Sequence, residues 1–171
     1  MATPIITGNL QANVGVIGVT YAVDSASNPI MPYGSVVAGL DAVGGFAEFV
    51  FLLGVASTAV GSVVTYDEAG VTALADTDSA ATCLGPVAVA LVANTDPARG
   101  AWYAITGTFP VSLVASVADN ALLYFCSTGG SLDDAATTDR QVSNIISRAA
   151  TTGAAVVNCQ FSRPWGGIKM S

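Results

Sequence analysis

The chain predicts an all-β fold: a sandwich or barrel of about eight to ten short antiparallel strands. An extended N-terminal arm over residues 1–34 precedes the β domain over 35–171. Three observations carry this reading. Residues 61–127 form a run of short apolar segments broken by turn signals. No long segment repeats its apolar residues at three and four, so helix is scarce. Hydrophobic residues make up 52% of the 171 residues and charged ones 10%, and the excess lies in Ala and Val rather than in long aliphatics. Ser, Thr and Gly must therefore cover much of the surface, which suits a chain that buries part of it against other chains.

The first 34 residues scatter Gly15, Gly18, Pro29, Pro32 and Gly34 among small apolar residues, and no helical period lasts two turns. Pro4, Pro29 and Pro32 favour extended backbone. The segment reads as an arm with one strand near residues 14–23, held by contacts with something else. From Ser35 the β signals begin. In FAEFVFLL, residues 46–53, both alternating sets are mainly apolar, as in a strand buried between layers. SVVTY, the turn DEAG and VTAL form a hairpin in which Gly70 supplies the permissive backbone. PVAVALVA sets bulky Val87, Val89 and Leu91 against small Ala88 and Ala90, giving one core face and one face of close approach.

The segment GAWYAITGTFPVSLVAS reads as two strands joined at Thr106-Gly107-Thr108, with Pro110 placing the second at an edge or a bulge. Of Trp102 and Tyr103, one is expected in the core and the other facing outward. ALLYFCS is a further strand, and STGGSLDDAATTDRQ is the most linker-like stretch of the body. Residues 143–149 and 154–161 close the domain, the latter with Val157, Cys159 and Phe161 on one side and Asn158 and Gln160 on the other.

Chemistry-bearing residues are sparse. The net charge is −7, and no Lys or Arg precedes Arg99 while eight carboxylates do. The chain lacks the basic stripe that nucleic acid or an anionic membrane requires. It has no His, which removes the commonest general base, a Cys/His zinc site and a Cys–His nucleophile. A Ser–Lys dyad would have to use Lys169, the sole lysine. Cys83, Cys126 and Cys159 lie in apolar surroundings and are expected as buried thiols, implying a reducing compartment. Asp133, Asp134 and Asp139 could converge on a hard cation but do not match a calcium-loop pattern. No catalytic, metal or cofactor site is expected.

The N-terminus lacks the basic start and apolar core of a signal peptide, so synthesis in a cytoplasm is expected. Residues 49–66 are free of charge for 18 positions, but Gly54, Gly61 and flanking Glu48 and Asp67 argue against a membrane helix. Near the C-terminus, FSRPWGG gathers Arg163, Pro164 and Trp165 in a segment that Pro and Gly should keep out of regular strands. Arg and Trp are enriched at interface hot spots.

The succession GGFAEFVFLLGVASTAVGSVVTYDEAG, PVAVALVA, ARGAWYAITGTFPV, LLYFCSTGG and FSRPWGG resembles phage capsid decoration proteins of small β type, also called cement or head-fibre proteins. The resemblance spans roughly residues 44–167 and leaves the arm unmatched. It implies a non-enzymatic virion protein on the outer capsid surface. The major capsid protein is its implied partner, in contact with a homo-oligomer in which a trimer is favoured, without nucleic acid or membrane. The expected contacts are Ile5, Ile6, Tyr21, Pro32 and Tyr33 of the arm, and Arg163, Pro164 and Trp165. A host-recognition or tail-associated β module and a carboxylate-based hydrolase are the alternatives.

Overall fold

The computed structural model describes residues 24, 29, 31–41, 45–76, 84–114, 116–136 and 140–168. They form ten strands and no helix: β1 (Val36–Asp41), β2 (Gly45–Leu53), β3 (Val63–Tyr66), β4 (Thr72–Leu74), β5 (Gly85–Ala90), β6 (Gly100–Leu113), β7 (Leu122–Phe125), β8 (Leu132–Asp133), β9 (Gln141–Ser147) and β10 (Ala155–Ile168). The all-β expectation holds, with the uncharged run 49–66 divided between β2, a loop and β3. All pairings are antiparallel except β6–β8, which is parallel. Strand order is β1-β2-β6-β8-β7-β9-β10-β5-β3-β4, with β6 also paired to β10 and β5. The order and the extra β6–β10 pairing together close a ring of five strands, β6, β8, β7, β9 and β10.

β6 is the hub. Its first half pairs with β2 and its second half with β10, from Thr106↔Ser162 to Leu113↔Ala155. The sequence reading split this segment at Thr106-Gly107-Thr108, but the strand runs unbroken for 14 residues. Gly107, at φ +130°, and a register step opposite Glu48 and Phe49 bend the strand without reversing it. Pro110 sits inside this strand, opposite Asn158 of β10. Two residues on, the Ser112 N–H donates to the Gly61 carbonyl (2.8 Å), on the side away from β10. Pro110 shares that register, so the N–H it lacks would have faced a loop rather than the β10 ladder.

Alternation sends the side chains of β2, β5 and β6 into two separate clusters. Phe49, Phe51, Val87, Val89 and Trp102 join the larger core, which also fills the five-strand ring with Phe109, Leu123, Phe125, Ile145 and Phe161. Val50, Leu52, Ala88, Ala90 and Tyr103 form the smaller one. Tyr103 and Trp102 are therefore both buried, where one was expected outside. The smaller cluster covers Tyr103, whose hydroxyl donates to the Leu53 carbonyl (3.3 Å). Burial pushes its phenol up to about 12, against weaker opposing hydrogen bonds from Asn94, Thr72 and Thr58.

The β3–β4 hairpin forms as the sequence predicts. Asp67 Oδ1 accepts from the N–H groups of Ala69 (3.0 Å) and Val71 (2.9 Å), and Gly70 takes φ +75°. The stretch read as a linker instead contains β8, which pairs with β7 and touches β6. Its buried Ser131 hydroxyl meets that of Ser112 at 2.9 Å. On the arm side, Met31 and Tyr33 pack against the larger core. Tyr33 stacks on Phe51 with centroids 5.7 Å apart, and the Gly34 N–H donates to the Phe51 carbonyl (2.7 Å). The Asp24 N–H donates to the Gly100 carbonyl (2.7 Å). The strand expected near residues 14–23 lies outside the described residues, except for Asp24 beside it.

Of the three expected buried thiols, Cys159 is fully buried, and burial pushes it up to about 12. Cys126 is only half-buried, shifted upward by partial burial, with its Sγ facing the Ser131 carbonyl at 3.4 Å. Cys83 lies outside the described residues.

Phe51 links Tyr33, Trp102 and the strand core. Phe51→Ala is expected to cost about 3–5 kcal/mol, measured by urea unfolding. In a Cys83→Ser background, a thiol reagent at pH 8 should modify Cys126 in the folded protein and Cys159 only after unfolding, as mass spectrometry of the labelled peptides will show.

Candidate functional site

The FSRPWGG segment does not leave the sheet. It continues β10 to Ile168 through a bulge: Phe161 pairs with Ile145 and Trp165 with Ser143, leaving Ser162, Arg163 and Pro164 opposite Asn144 alone. Both sides of the bulge use left-handed backbone, Asn144 at φ +58° and Arg163 at φ +47°. Asn tolerates this conformation, whereas for Arg it costs about 1–2 kcal/mol. Proline and glycine were expected to break the strand here. Instead, the turnover at Arg163 absorbs the extra residues, and pairing resumes on both edges. The Ser143 hydroxyl donates to the Trp165 carbonyl (3.0 Å), and Trp165 pairs with Pro86 of β5.

The bulge aims Arg163 at β2. Its Nε–H and Nη2–H donate to the two carboxylate oxygens of Glu48, at 2.9 and 2.8 Å, in a bidentate pair. The Thr106 hydroxyl of β6 donates to the same carboxylate at 2.9 Å. The Arg163 hydrogen bonds hold Glu48 below the usual carboxylate range, outweighing partial desolvation, with Thr106 assisting. Glu48 in turn raises Arg163. Three strands distant in sequence meet in this one arrangement.

Around it the surface is apolar. In the β1–β2 register Leu40 faces Phe46, Ala38 faces Glu48 and Val36 faces Val50, so these residues share one sheet face. Leu40 and Phe46 are each 60% exposed, Trp165 52% and Val36 47%. A groove of about 270 Å³ runs between Val36, Tyr66, Pro86, Ile105, Arg163 and Trp165. Burial raises the Tyr66 phenol, with Arg163 opposing. The result is a face with aromatic and aliphatic side chains around a bidentate ion pair.

The structure gathers Arg163, Pro164 and Trp165 at one corner, Pro164 buried and the other two exposed. Pro32 is exposed, but Tyr33 packs with Phe51 on the face of β2 opposite Glu48, so those two do not join the corner. Ile5, Ile6 and Tyr21 lie outside the described residues. The sequence reading missed Leu40, Phe46 and Glu48. The signal was Glu48 itself: a carboxylate in the same alternating set as Phe46 marks a face left open at that end.

Elsewhere, a groove of about 510 Å³ over β9 and β10 includes Arg148, whose guanidinium donates to Gln160 and Asn120. The Asp134 carboxylate accepts the Ala118 N–H (2.8 Å) and Asp133 the Ala135 N–H (3.3 Å), while Asp139 lies outside the described residues. Among the described residues no three His, Cys, Asp or Glu side chains gather to hold a metal. No protein-family model, curated protein or solved structure matches the chain.

Because the Glu48 carboxyl is held low in the folded state, the pair contributes above the ordinary value of 4.5 and its contribution fades as pH falls through the lowered value. Arg163→Ala should therefore destabilise by about 0.5–1 kcal/mol at pH 7, the modest worth of a partly exposed pair. That gap should close as unfolding is measured at progressively lower pH below 4.5. Arg163→Gly, which loses the same pair but carries no Cβ in left-handed backbone, should be more stable than Arg163→Ala by about 1 kcal/mol.

Proposed function

We propose that this chain is a structural virion protein that binds the outer surface of a tailed-phage capsid and strengthens contacts between coat subunits. The observation that carries the reading is the open face at the β10 bulge, where exposed Trp165, Phe46 and Leu40 surround the Arg163–Glu48 pair. Exposed aromatic and aliphatic groups in one cluster mark a surface that another protein covers. The resemblance in the order of sequence segments supplies the class of partner, the major capsid protein. A net charge of −7 fits the outside of a head, away from packaged nucleic acid.

The mechanism is adhesion. A small contact repeated over many equivalent positions gains through multivalency what each contact lacks alone. The bulge is held by hydrogen bonds to three strands, so the contact face is ordered before it meets its partner, which limits the entropy lost on binding.

The test is to mix purified protein with undecorated heads and image them by cryo-electron microscopy. Extra density on the outer shell is expected. Trp165→Ala should weaken binding by about 2 kcal/mol, or roughly thirtyfold, if the residue acts as a hot spot. Bare heads at saturating protein concentration would refute the reading. Binding to cells or glycans in their place would favour a host-recognition module.

A further inference from the structure

The two strands that end the sheet order are β1 and β4. They are protected very differently. β4 has three residues, and just beyond it the Ala75 carbonyl accepts the Gly130 N–H (2.9 Å), which closes its far end. β1 has six residues and pairs, among the described residues, with β2 alone. Natural edge strands are guarded by lysine, proline, a bulge or brevity. VVAGLD has no lysine, arginine or proline, its only charge is the final Asp41, and its ladder with β2 runs through six consecutive pairs without a step.

The direction of its free backbone groups follows from the ladder. The Ser35 carbonyl points toward β2, since it accepts the Phe51 N–H (2.9 Å). In an antiparallel pair the direction alternates residue by residue, so the N–H and C=O groups of Val36, Ala38 and Leu40 point away from β2. The same three residues carry their side chains on the face of Phe46 and Glu48.

We propose that β1 pairs antiparallel with β1 of a second copy of this chain, about a twofold axis at Ala38. The choice of partner rests on self-complementarity. With Ala38 opposite Ala38 of the second copy, Val36 falls opposite Leu40 and Leu40 opposite Val36. All three outward-facing residues then become hydrogen-bonded pairs, giving about six main-chain hydrogen bonds. The two exposed aliphatics of each edge meet across the strands on one face, and the second copy's Leu40 arrives beside the groove bounded by Val36 and Trp165. In this register Asp41 falls opposite Ser35 of the second copy, so the two Asp41 positions lie at opposite ends of the ladder. The contact is isologous and closes at two copies, whereas the resemblance implies three. It does not rest on the capsid reading.

The experiment uses the full chain. Light scattering coupled to size exclusion at tens of micromolar should give twice 17.1 kDa. Hydrogen exchange should show the Val36, Ala38 and Leu40 amides protected at that concentration and released on dilution. Ala38→Pro removes an outward N–H without breaking the β2 ladder, and Leu40→Lys places a guarding charge on the edge; each should give a folded monomer with an unchanged circular dichroism spectrum. Leu40→Lys keeps the backbone intact, so it decides the matter if Ala38→Pro fails to fold. A monomeric wild type, a trimer, or a dimer that survives Leu40→Lys would overturn the proposal.

Discussion

One constraint organises the molecule: β6 runs for 14 residues, the first six of them buried on both faces, and must find hydrogen-bond partners on both edges. Buried backbone groups left unpaired are costly, and no single neighbour pairs along its whole length. β2 serves the first half and β10 the second, while β5, β8 and the Gly61 loop pair along the opposite edge of each half. The rest of the architecture is the set of connections that brings these partners into place. Burial on both faces also explains the composition. Ala88 and Ala90 of β5 and Ala101 and Ala104 of β6 are all buried, where small side chains let neighbouring layers come close.

The local elements were legible in the sequence because they depend on local chemistry. The β3–β4 hairpin rests on Asp67 and Gly70, which act within five residues of each other. The alternation of Cys159 and Phe161 against Asn158 and Gln160 directly reports one buried and one exposed face. The unbroken course of β6 was not legible, because Gly107 is compatible with both a reversal and a bend, and only the presence of β10 beyond it decides. Tyr103 was misplaced for a similar reason. An aromatic beside Trp102 alternates to the opposite face, and whether that face is open depends on strands far away in sequence.

The candidate corner divides in the same way. Arg163 and Trp165 were visible as residue types out of keeping with a weakly charged chain. Their geometry was not, since it depends on Glu48, more than a hundred residues earlier. An arginine in left-handed backbone is not favoured by anything local. It persists because the carboxylate on β2, the hydroxyl of Thr106 and the resumed pairing of Trp165 together offset the strain. What looked like an irregular tail is a point at which the sheet holds three strands under one ion pair.

The five-strand ring also sets the order in which the chain can reach its native state. β10 is the last of the described strands, and it closes the ring between β9 and β6 while also pairing with β5. Until it is in place, those three strands carry open edges, and a large share of the apolar core has no lid. Strand pairing across such sequence distances is slow compared with hairpin formation. A nascent chain emerging from the ribosome therefore holds its hairpins but not its core, and a truncation before Ala155 removes the closure of the whole fold rather than one edge of it.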